Sequence, residues 1–149
     1  MTGMQAIRPG HTPWHLWVIG VAAVLWNAVG AFDYLMTQTK NAAYMSAFTP
    51  EQLEYFYGFP AWVVAAWAIA VWGGVLGAVL LLLRRRLAVG VFLVSLIAMV
   101  ITTVHNYVLS DGAKIFADAG SQAFTAVIFV IAVALYLYAR AMGKRGVLV

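Results

Sequence analysis

Four stretches of the chain are almost continuously apolar, and short polar segments separate them. These stretches span about 14–32, 61–83, 87–109 and 121–139. The two central stretches have 23 residues each and contain no Asp, Glu, Lys or Arg. An α-helix of that length extends about 35 Å, which is enough to cross the roughly 30 Å hydrocarbon core of a bilayer. The pattern therefore predicts an all-α integral membrane four-helix bundle that forms a single domain over residues 1–149.

A short helix is predicted in the long connection between the first two apolar stretches. Thr49-Pro50-Glu51-Gln52 is a capping-box pattern, with Thr at the N-cap and Gln three residues later. Several aromatic residues follow, and Gly58 and Pro60 end the pattern. Because Trp and Tyr are enriched at membrane–water interfaces, we expect a helix over about residues 50–57 that lies on the membrane surface.

Composition supports a membrane protein and narrows the range of partners. The chain is 64% hydrophobic and 9% charged, whereas soluble domains carry about 25% charged residues. Its net charge of +4 does not indicate nucleic-acid binding, because the basic residues lie at the ends of the apolar stretches. The predicted partners are the lipid bilayer and either another membrane protein or a second copy of the chain.

The charges are distributed unequally between the two sides of a four-span topology. One side carries no acid and has the basic residues Arg8, Arg84, Arg85, Arg86, Arg140, Lys144 and Arg145. The other side carries all five acids and only two lysines, Lys40 and Lys114. Since cytoplasmic loops are enriched in Lys and Arg, both termini and the turn Arg84-Arg85-Arg86 are predicted to be cytoplasmic. The long first loop is then expected to face outward.

Polar and aromatic side chains concentrate in the half of the bundle away from the arginine turn. The candidates for ligand binding are Asn27, Tyr34, Trp62, Trp67, Thr102, His105, Asn106 and Gln122. One interpretation is an outward-facing cup for a neutral polyhydroxyl or amphiphilic ligand, whose C–H faces would pack on indole rings. The alternative is that these groups hydrogen-bond across helices and hold the bundle together. We expect Asn27, His105, Asn106 and Gln122 to face one another.

Three histidines and one acid are candidates for more specific chemistry. His105 could bind a ligand or a proton, since ionisable residues within membranes are commonly functional; a structural role near the membrane surface is the alternative. His11 and His15 have the spacing of metal ligands on a helix, but no acid or cysteine accompanies them. Asp33 is expected to be solvated, to cap the outer end of the bundle or to pair with His105. No metal, cofactor or enzymatic activity is predicted.

Two classes of function are consistent with this sequence. A stripe of small residues on the second helix, Ala66, Ala70, Gly73 and Gly77, predicts a close helix contact. That stripe favours a protein acting through helix faces, either as an accessory or assembly subunit or as a homo-oligomer. The cup instead favours a small transporter or binding protein for a neutral solute such as a sugar. Because four helices hardly enclose a full pathway, a transporter would require at least a dimer.

Several motifs resemble a group of small bacterial four-helix membrane proteins. They are His15-Leu16-Trp17-Val18, Trp26-Asn27, Gly30-Ala31-Phe32-Asp33-Tyr34, Met36-Thr37-Gln38-Thr39, Phe48-Thr49-Pro50-Glu51-Gln52, Tyr55-Phe56, Trp72-Gly73-Gly74 and the arginine turn. Members of this group are mostly called hypothetical, and some are labelled sugar transporters. The resemblance implies a location in the bacterial inner membrane and carries over no functional residues.

Overall fold

The computed structural model describes residues 12–149 and is all-helical over that range. Its long helices are α1 (Trp14–Gln38), α4 (Ala61–Leu82), α5 (Leu87–Val104), which continues as a π-helical segment (His105–Leu109), and α7 (Ala119–Lys144). The short helices are α2 (Ala42–Met45), α3 (Pro50–Tyr57) and α6 (Gly112–Ile115). Counting α5 with its π-helical segment, the described chain contains four helices long and apolar enough to cross a membrane. Arg8 and His11 lie outside the described residues.

The first and last long helices extend beyond their predicted ends. α1 continues through Asp33 to Gln38, six residues past the predicted end. This continuation tolerates the charge of Asp33 because its carboxylate accepts a hydrogen bond from the Tyr44 hydroxyl. α7 begins two residues early because Asp118 caps it, accepting from the Ser121 amide at 2.9 Å. It ends at Lys144, five residues late.

α4 lies between α1 and α5, and small residues allow both close approaches. On the α5 side, Gly73 faces Ser95, whose hydroxyl donates to the Ala70 carbonyl at 2.6 Å. A Cβ atom at Gly77 would lie 2.7 Å from the Phe92 ring, so only glycine fits there without a shift. With the buried Ala66, these residues are the small-residue stripe identified in the sequence. The stripe is therefore occupied within one chain, mainly by α5.

The arginine turn, the start of α1 and residues 147–149 meet at one end of the bundle, here called the basic end. Arg84 donates a side-chain hydrogen bond to Thr12 at 2.8 Å. The Val149 amide donates to the Arg84 carbonyl and the Arg86 amide to the Val149 carbonyl, both at 2.8 Å. The buried core also concentrates here; its members include Leu16, Leu81, Ala88, Phe92, Ala139, Met142 and Leu148. The basic end is therefore the more tightly packed end.

The opposite end, here called the acidic end, consists of α2, α3, α6 and the adjoining ends of the long helices. All five acids of the chain belong to it: Asp33, Glu51, Glu54, Asp111 and Asp118. The π-helical segment of α5 also lies here, where the sequence predicted ordinary α-helix through residue 109. α3 packs close to α6, where the Tyr55 ring contacts Phe116, and the Tyr55 hydroxyl reaches Asn106 of the π-helical segment. This end contains the candidate functional site.

Candidate functional site

Local sequence signals position α3 over the end of α5. The Thr49 hydroxyl accepts from the Gln52 amide at 3.2 Å, and the Gln52 side chain accepts from the Thr49 amide at 3.1 Å. This capping box starts the helix, Pro50 occupies its first turn, and Gly58 ends it. The helix carries Tyr55 and Phe56 to Phe116, which follows α6, with ring centroids 6.0 and 5.4 Å apart.

Tyr55 fastens α3 to the π-helical segment. Its hydroxyl donates to Asn106 Oδ1 at 2.9 Å and lies 2.8 Å from the Ser110 hydroxyl. Ser110 in turn donates to the His105 carbonyl at 2.8 Å. A Cβ atom at Gly112 would lie 2.6 Å from the Tyr55 hydroxyl oxygen and 2.5 Å from the Asn106 carbonyl oxygen. Glycine is therefore required at position 112 for α6 to approach this closely.

The environment of the Tyr55 phenol favours its protonated form. Burial raises the pKa of Tyr55 above its usual value, the hydrogen bond with Ser110 opposes part of that rise, and the Asp111 carboxylate adds to it. The phenol therefore remains a hydrogen-bond donor to Asn106 at physiological pH.

His105 begins the π-helical segment and is buried at the acidic end. Only 6% of its surface is exposed. Its ring makes edge contacts with Phe59 and Trp62, at centroid distances of 5.6 and 5.4 Å. Its Nδ1 lies 3.2 Å from Asn106 Oδ1, and its Nε2 has no hydrogen-bond partner among residues 12–149. π-Helical turns within α-helices occur frequently at functional sites, and this one places an imidazole among aromatic rings.

A cavity of about 410 Å³ opens beside His105. Its lining residues are Glu51, Glu54, Tyr55, Gly58, Phe59, Pro60, His105, Ser110, Asp111 and Ile115. They come from α3, the α3–α4 connection, the π-helical segment and α6. Carboxylates, hydroxyls and an imidazole thus share this lining with aromatic and aliphatic groups, and the cavity is more open than enclosed.

A second layer of aromatic rings supports the wall of the cavity. The Phe59 ring packs on Trp67 at 6.0 Å between centroids, and Trp67 packs edge-on against Tyr34 of α1 at 4.9 Å. On the other side, the Tyr55 and Phe59 rings are 5.1 Å apart. This layer links α1 and α4 to the residues that face the cavity.

The eight sequence-predicted ligand residues divide into those near the cavity and those away from it. His105 lines the cavity, while Asn106 and Trp62 touch His105. Tyr34 and Trp67 belong to the second aromatic layer. The remaining three are elsewhere or satisfied locally: Asn27 donates to the Ala23 carbonyl beside Gly74, Thr102 donates to the Met99 carbonyl, and Gln122 is exposed. The expected meeting of Asn27, His105, Asn106 and Gln122 is thus reduced to His105 and Asn106.

Asp33 is neither paired with His105 nor freely solvated. It accepts a hydrogen bond from the Tyr44 hydroxyl, which ties α2 to α1. Burial raises the pKa of Tyr44 to about 12, with further contributions from the hydrogen bond to Asp33 and from its negative charge. Asp33 therefore fixes the first part of the loop beside α1.

Most cavity residues were not among the sequence-predicted ligands. The missed residues are Glu51, Glu54, Tyr55, Gly58, Phe59, Pro60, Ser110, Asp111 and Ile115. The available signal was the aromatic run directly after a capping box, together with a polar loop that follows an intramembrane histidine. The sequence carried no signal for the π-helical turn, which fixes where His105 lies.

Comparison with known proteins adds no further constraint: no family model, curated protein or solved structure matches the chain. The resemblance to small bacterial four-helix proteins therefore stays an expectation based on the motifs alone.

Proposed function

We propose that this chain is a multi-pass inner-membrane protein whose acidic end faces outward and binds a small polar ligand in the cavity beside His105. The basic end, with the arginine turn, faces the cytoplasm, and α3 lies at the outer membrane surface. Charge asymmetry supports this orientation, because Arg84, Arg85 and Arg86 cluster with the start of α1 and residues 147–149.

The observation that carries the proposal is the state of His105 at the cavity wall. Only 6% of the surface of His105 is exposed, and its Nδ1 contacts Asn106 Oδ1. Among the described residues no buried side-chain nitrogen or oxygen lacks a hydrogen-bond partner, so Nε2, which has none there, keeps some access to the cavity. A ligand with a suitable polar group would contact Nε2 there.

The packing of the basic end favours binding over transport by a single chain. The core residues Leu16, Leu81 and Ala88 have no exposed surface there. A solute in the cavity would have to pass this core to reach the other side. The simplest role is therefore a binding or receptor protein, and a transporter would require a large rearrangement or a partner.

The small-residue stripe no longer favours the accessory-subunit or homo-oligomer hypothesis. Gly73 and Gly77 already contact Ser95 and Phe92 of the same chain. A partner helix using this stripe would have to displace α5. The hypothesis stays a prediction, and apolar helix faces such as that of α7, where Phe124 and Val130 are exposed, are available to a partner.

A thermal-shift screen with a cavity-filling variant tests ligand binding. Ile115→Trp adds volume at the cavity wall, whereas Val108→Trp adds the same side chain at a position that is 73% exposed. Purified protein would be melted with a library of sugars, polyols, amines and carboxylates. A ligand at 100 times its Kd stabilises the folded state by about 2.7 kcal/mol. We expect at least one solute to stabilise the wild type and Val108→Trp but not Ile115→Trp.

A second variant guards against misfolding of Ile115→Trp. His105→Gln retains a polar side chain but changes the group facing the cavity. The solutes that raise the melting temperature of the wild type should therefore not raise that of His105→Gln. If no solute raises the melting temperature, or if all stabilising solutes act equally on Ile115→Trp, the proposed ligand site is wrong.

A further inference from the structure

We propose that the basic end binds the phosphate headgroups of anionic phospholipids through a surface formed by Arg85, Arg86, Lys144 and Arg145, here called the basic surface. This surface lies at the opposite end of the bundle from the cavity beside His105. It therefore gives the chain a second partner, a class of lipid, that does not depend on a ligand in that cavity. The sequence identified these four residues only as signals for topology, because it did not show that they meet.

The fold brings two basic segments of the chain together. The Arg86 guanidinium, in the turn between α4 and α5, donates to the Gly143 carbonyl near the end of α7 at 3.3 Å. α5 and α7 also pack against each other there, since a Cβ atom at Gly143 would lie 3.6 Å from the Val89 side chain. Lys144 and Arg145 directly follow Gly143 in the chain. The end of α7 and the arginine turn therefore form one continuous basic surface.

No acidic side chain neutralises the basic surface, because all five Asp and Glu residues of the chain belong to the acidic end. Its four basic side chains are all exposed. Arg86 uses part of its guanidinium for the Gly143 carbonyl, and a guanidinium has further N–H donors whose planar arrangement matches phosphate oxygens. The basic surface therefore offers an anion several positive charges that no acidic residue of the chain compensates.

Exposed apolar residues indicate the depth at which the basic surface lies in a bilayer. Leu83 and Leu87, which flank the three arginines in the chain, are 62% and 65% exposed. Trp14, at the start of α1, is 75% exposed, and Arg84 ties the turn to this level by donating to Thr12. Acyl chains cover exposed leucines at the ends of membrane-spanning helices, and tryptophan is enriched where hydrocarbon meets headgroups. The charges between Leu83 and Leu87 therefore lie beside the lipid phosphates.

This depth favours a lipid over a soluble anion. Clusters of Lys and Arg directly beside a membrane-spanning helix attract anionic lipids. A phospholipid contacts both parts of the surface at once, since its phosphate binds the basic side chains while its acyl chains cover Leu83 and Leu87. A soluble phosphate contacts the charges alone. Anionic phospholipid should therefore bind more tightly than a zwitterionic lipid and also more tightly than a phosphate without acyl chains.

Three matched probes test this preference: phosphatidylglycerol, phosphatidylcholine with the same acyl chains, and glycerol 3-phosphate. The full chain in a neutral detergent would be titrated with each probe, and its melting temperature would be measured at every concentration, because a ligand of the folded state raises that temperature. We expect phosphatidylglycerol to reach half of its maximal effect at a roughly fivefold lower concentration than phosphatidylcholine. Glycerol 3-phosphate should have no effect at these concentrations, and added salt should reduce the preference through screening.

Two double variants of equal charge separate the basic surface from the net charge of the protein. Arg85→Gln/Lys144→Gln removes two exposed charges whose side chains make no hydrogen bond to the described residues, so the fold should be kept. Lys40→Gln/Lys114→Gln removes the same charge from the acidic end. We expect Arg85→Gln/Lys144→Gln to bind both lipids about equally, while Lys40→Gln/Lys114→Gln keeps the preference of the wild type for phosphatidylglycerol.

Several results would overturn the proposal. It is wrong if phosphatidylcholine or glycerol 3-phosphate stabilises the wild type as well as phosphatidylglycerol does, or if Arg85→Gln/Lys144→Gln keeps the preference. It is also wrong if Lys40→Gln/Lys114→Gln loses the preference to the same extent, because the attraction would then come from net charge. Should the first double variant fail to fold, the single variants Arg85→Gln and Lys144→Gln decide: each should lose part of the preference, and an unchanged preference in both contradicts the proposal.

Discussion

The Tyr55 hydroxyl donates a hydrogen bond to Asn106 Oδ1 at 2.9 Å, and this contact joins α3 to the π-helical segment of α5. The two residues are 51 positions apart in the chain. Their contact places the carboxylates of α3 over His105 and thereby forms one wall of the cavity. The candidate site thus depends on a loop helix being held against the end of a membrane-spanning helix.

Loss of the Tyr55 hydroxyl should loosen the site. Tyr55→Phe keeps the ring but removes the hydrogen bonds to Asn106 and Ser110, which we expect to destabilise the protein by about 1–3 kcal/mol. The matched control is Tyr57→Phe on the same helix, since the Tyr57 hydroxyl makes no hydrogen bond to the described residues. Hydrogen exchange of the α3 amides should quicken in Tyr55→Phe only. Equal exchange in both variants would show that the ring alone holds α3.

The close approach of α4 and α5 should be sensitive to a single methyl group. Gly77→Ala would place Cβ 2.7 Å from the Phe92 ring, and overpacking of this kind costs about 1–3 kcal/mol. Gly90→Ala on α5 is the control, because a Cβ atom there has nothing within 4 Å. Thermal melts at fixed detergent concentration should show a lower melting temperature for Gly77→Ala and no loss for Gly90→Ala. If Gly77→Ala melts at the same temperature as Gly90→Ala, the small-residue stripe does not contact α5 and faces lipid instead.

Tyr44 should titrate well above an ordinary tyrosine. Burial is the main cause of its pKa of about 12, followed by the hydrogen bond to Asp33 and the charge of that residue. The folded state disfavours the Tyr44 phenolate. The protonated phenol therefore contributes fully to the free energy of unfolding below pH 10, and this contribution is lost as the pH rises towards 12. Ultraviolet titration should show one phenol moving to lower pKa in Asp33→Asn and none moving in Asp118→Asn. An unchanged titration in Asp33→Asn would contradict the Tyr44–Asp33 contact.

The proposed orientation can be tested by thiol labelling, because the chain has no cysteine of its own. Ala47→Cys lies between α2 and α3 at the acidic end, and Lys144→Cys lies at the basic end; both positions are exposed. In spheroplasts, a membrane-impermeant maleimide should label Ala47→Cys at once. It should label Lys144→Cys only after the inner membrane has been permeabilised. The reverse order of labelling would overturn the charge argument.

The four apolar stretches were predictable because each side chain in them must individually tolerate lipid. The residues near Asp33 and Asp118 were harder to assign, since the helix ends there depend on the Tyr44 hydroxyl and on the Ser121 amide. Because the apolar stretch ends before the charged Asp33, the predicted first helix ends at residue 32, whereas α1 continues six residues further to Gln38.

The candidate site was only partly predictable, for a different physical reason. Helical periodicity places His105 correctly on its own helix, but it cannot show which loop folds over that helix. The position of Glu51 and Glu54 follows from the Tyr55–Asn106 hydrogen bond and from the close approach at Gly112. Asn27 and Gln122 were grouped with His105 by depth alone, and their side chains turn to the Ala23 carbonyl and to the surface.

The central claim is that a small ligand binds beside His105, and the imidazole itself can report it. Selective ¹⁵N labelling of the three histidines, with His105→Gln to assign the signal, allows titration in nanodiscs with a solute that stabilises the wild type in the thermal-shift screen. The account predicts a saturable shift of the His105 Nε2 resonance, while the signal of His15 at the basic end remains unchanged. A His105 signal that stays constant while that solute stabilises the protein, or that shifts without saturating, would contradict it.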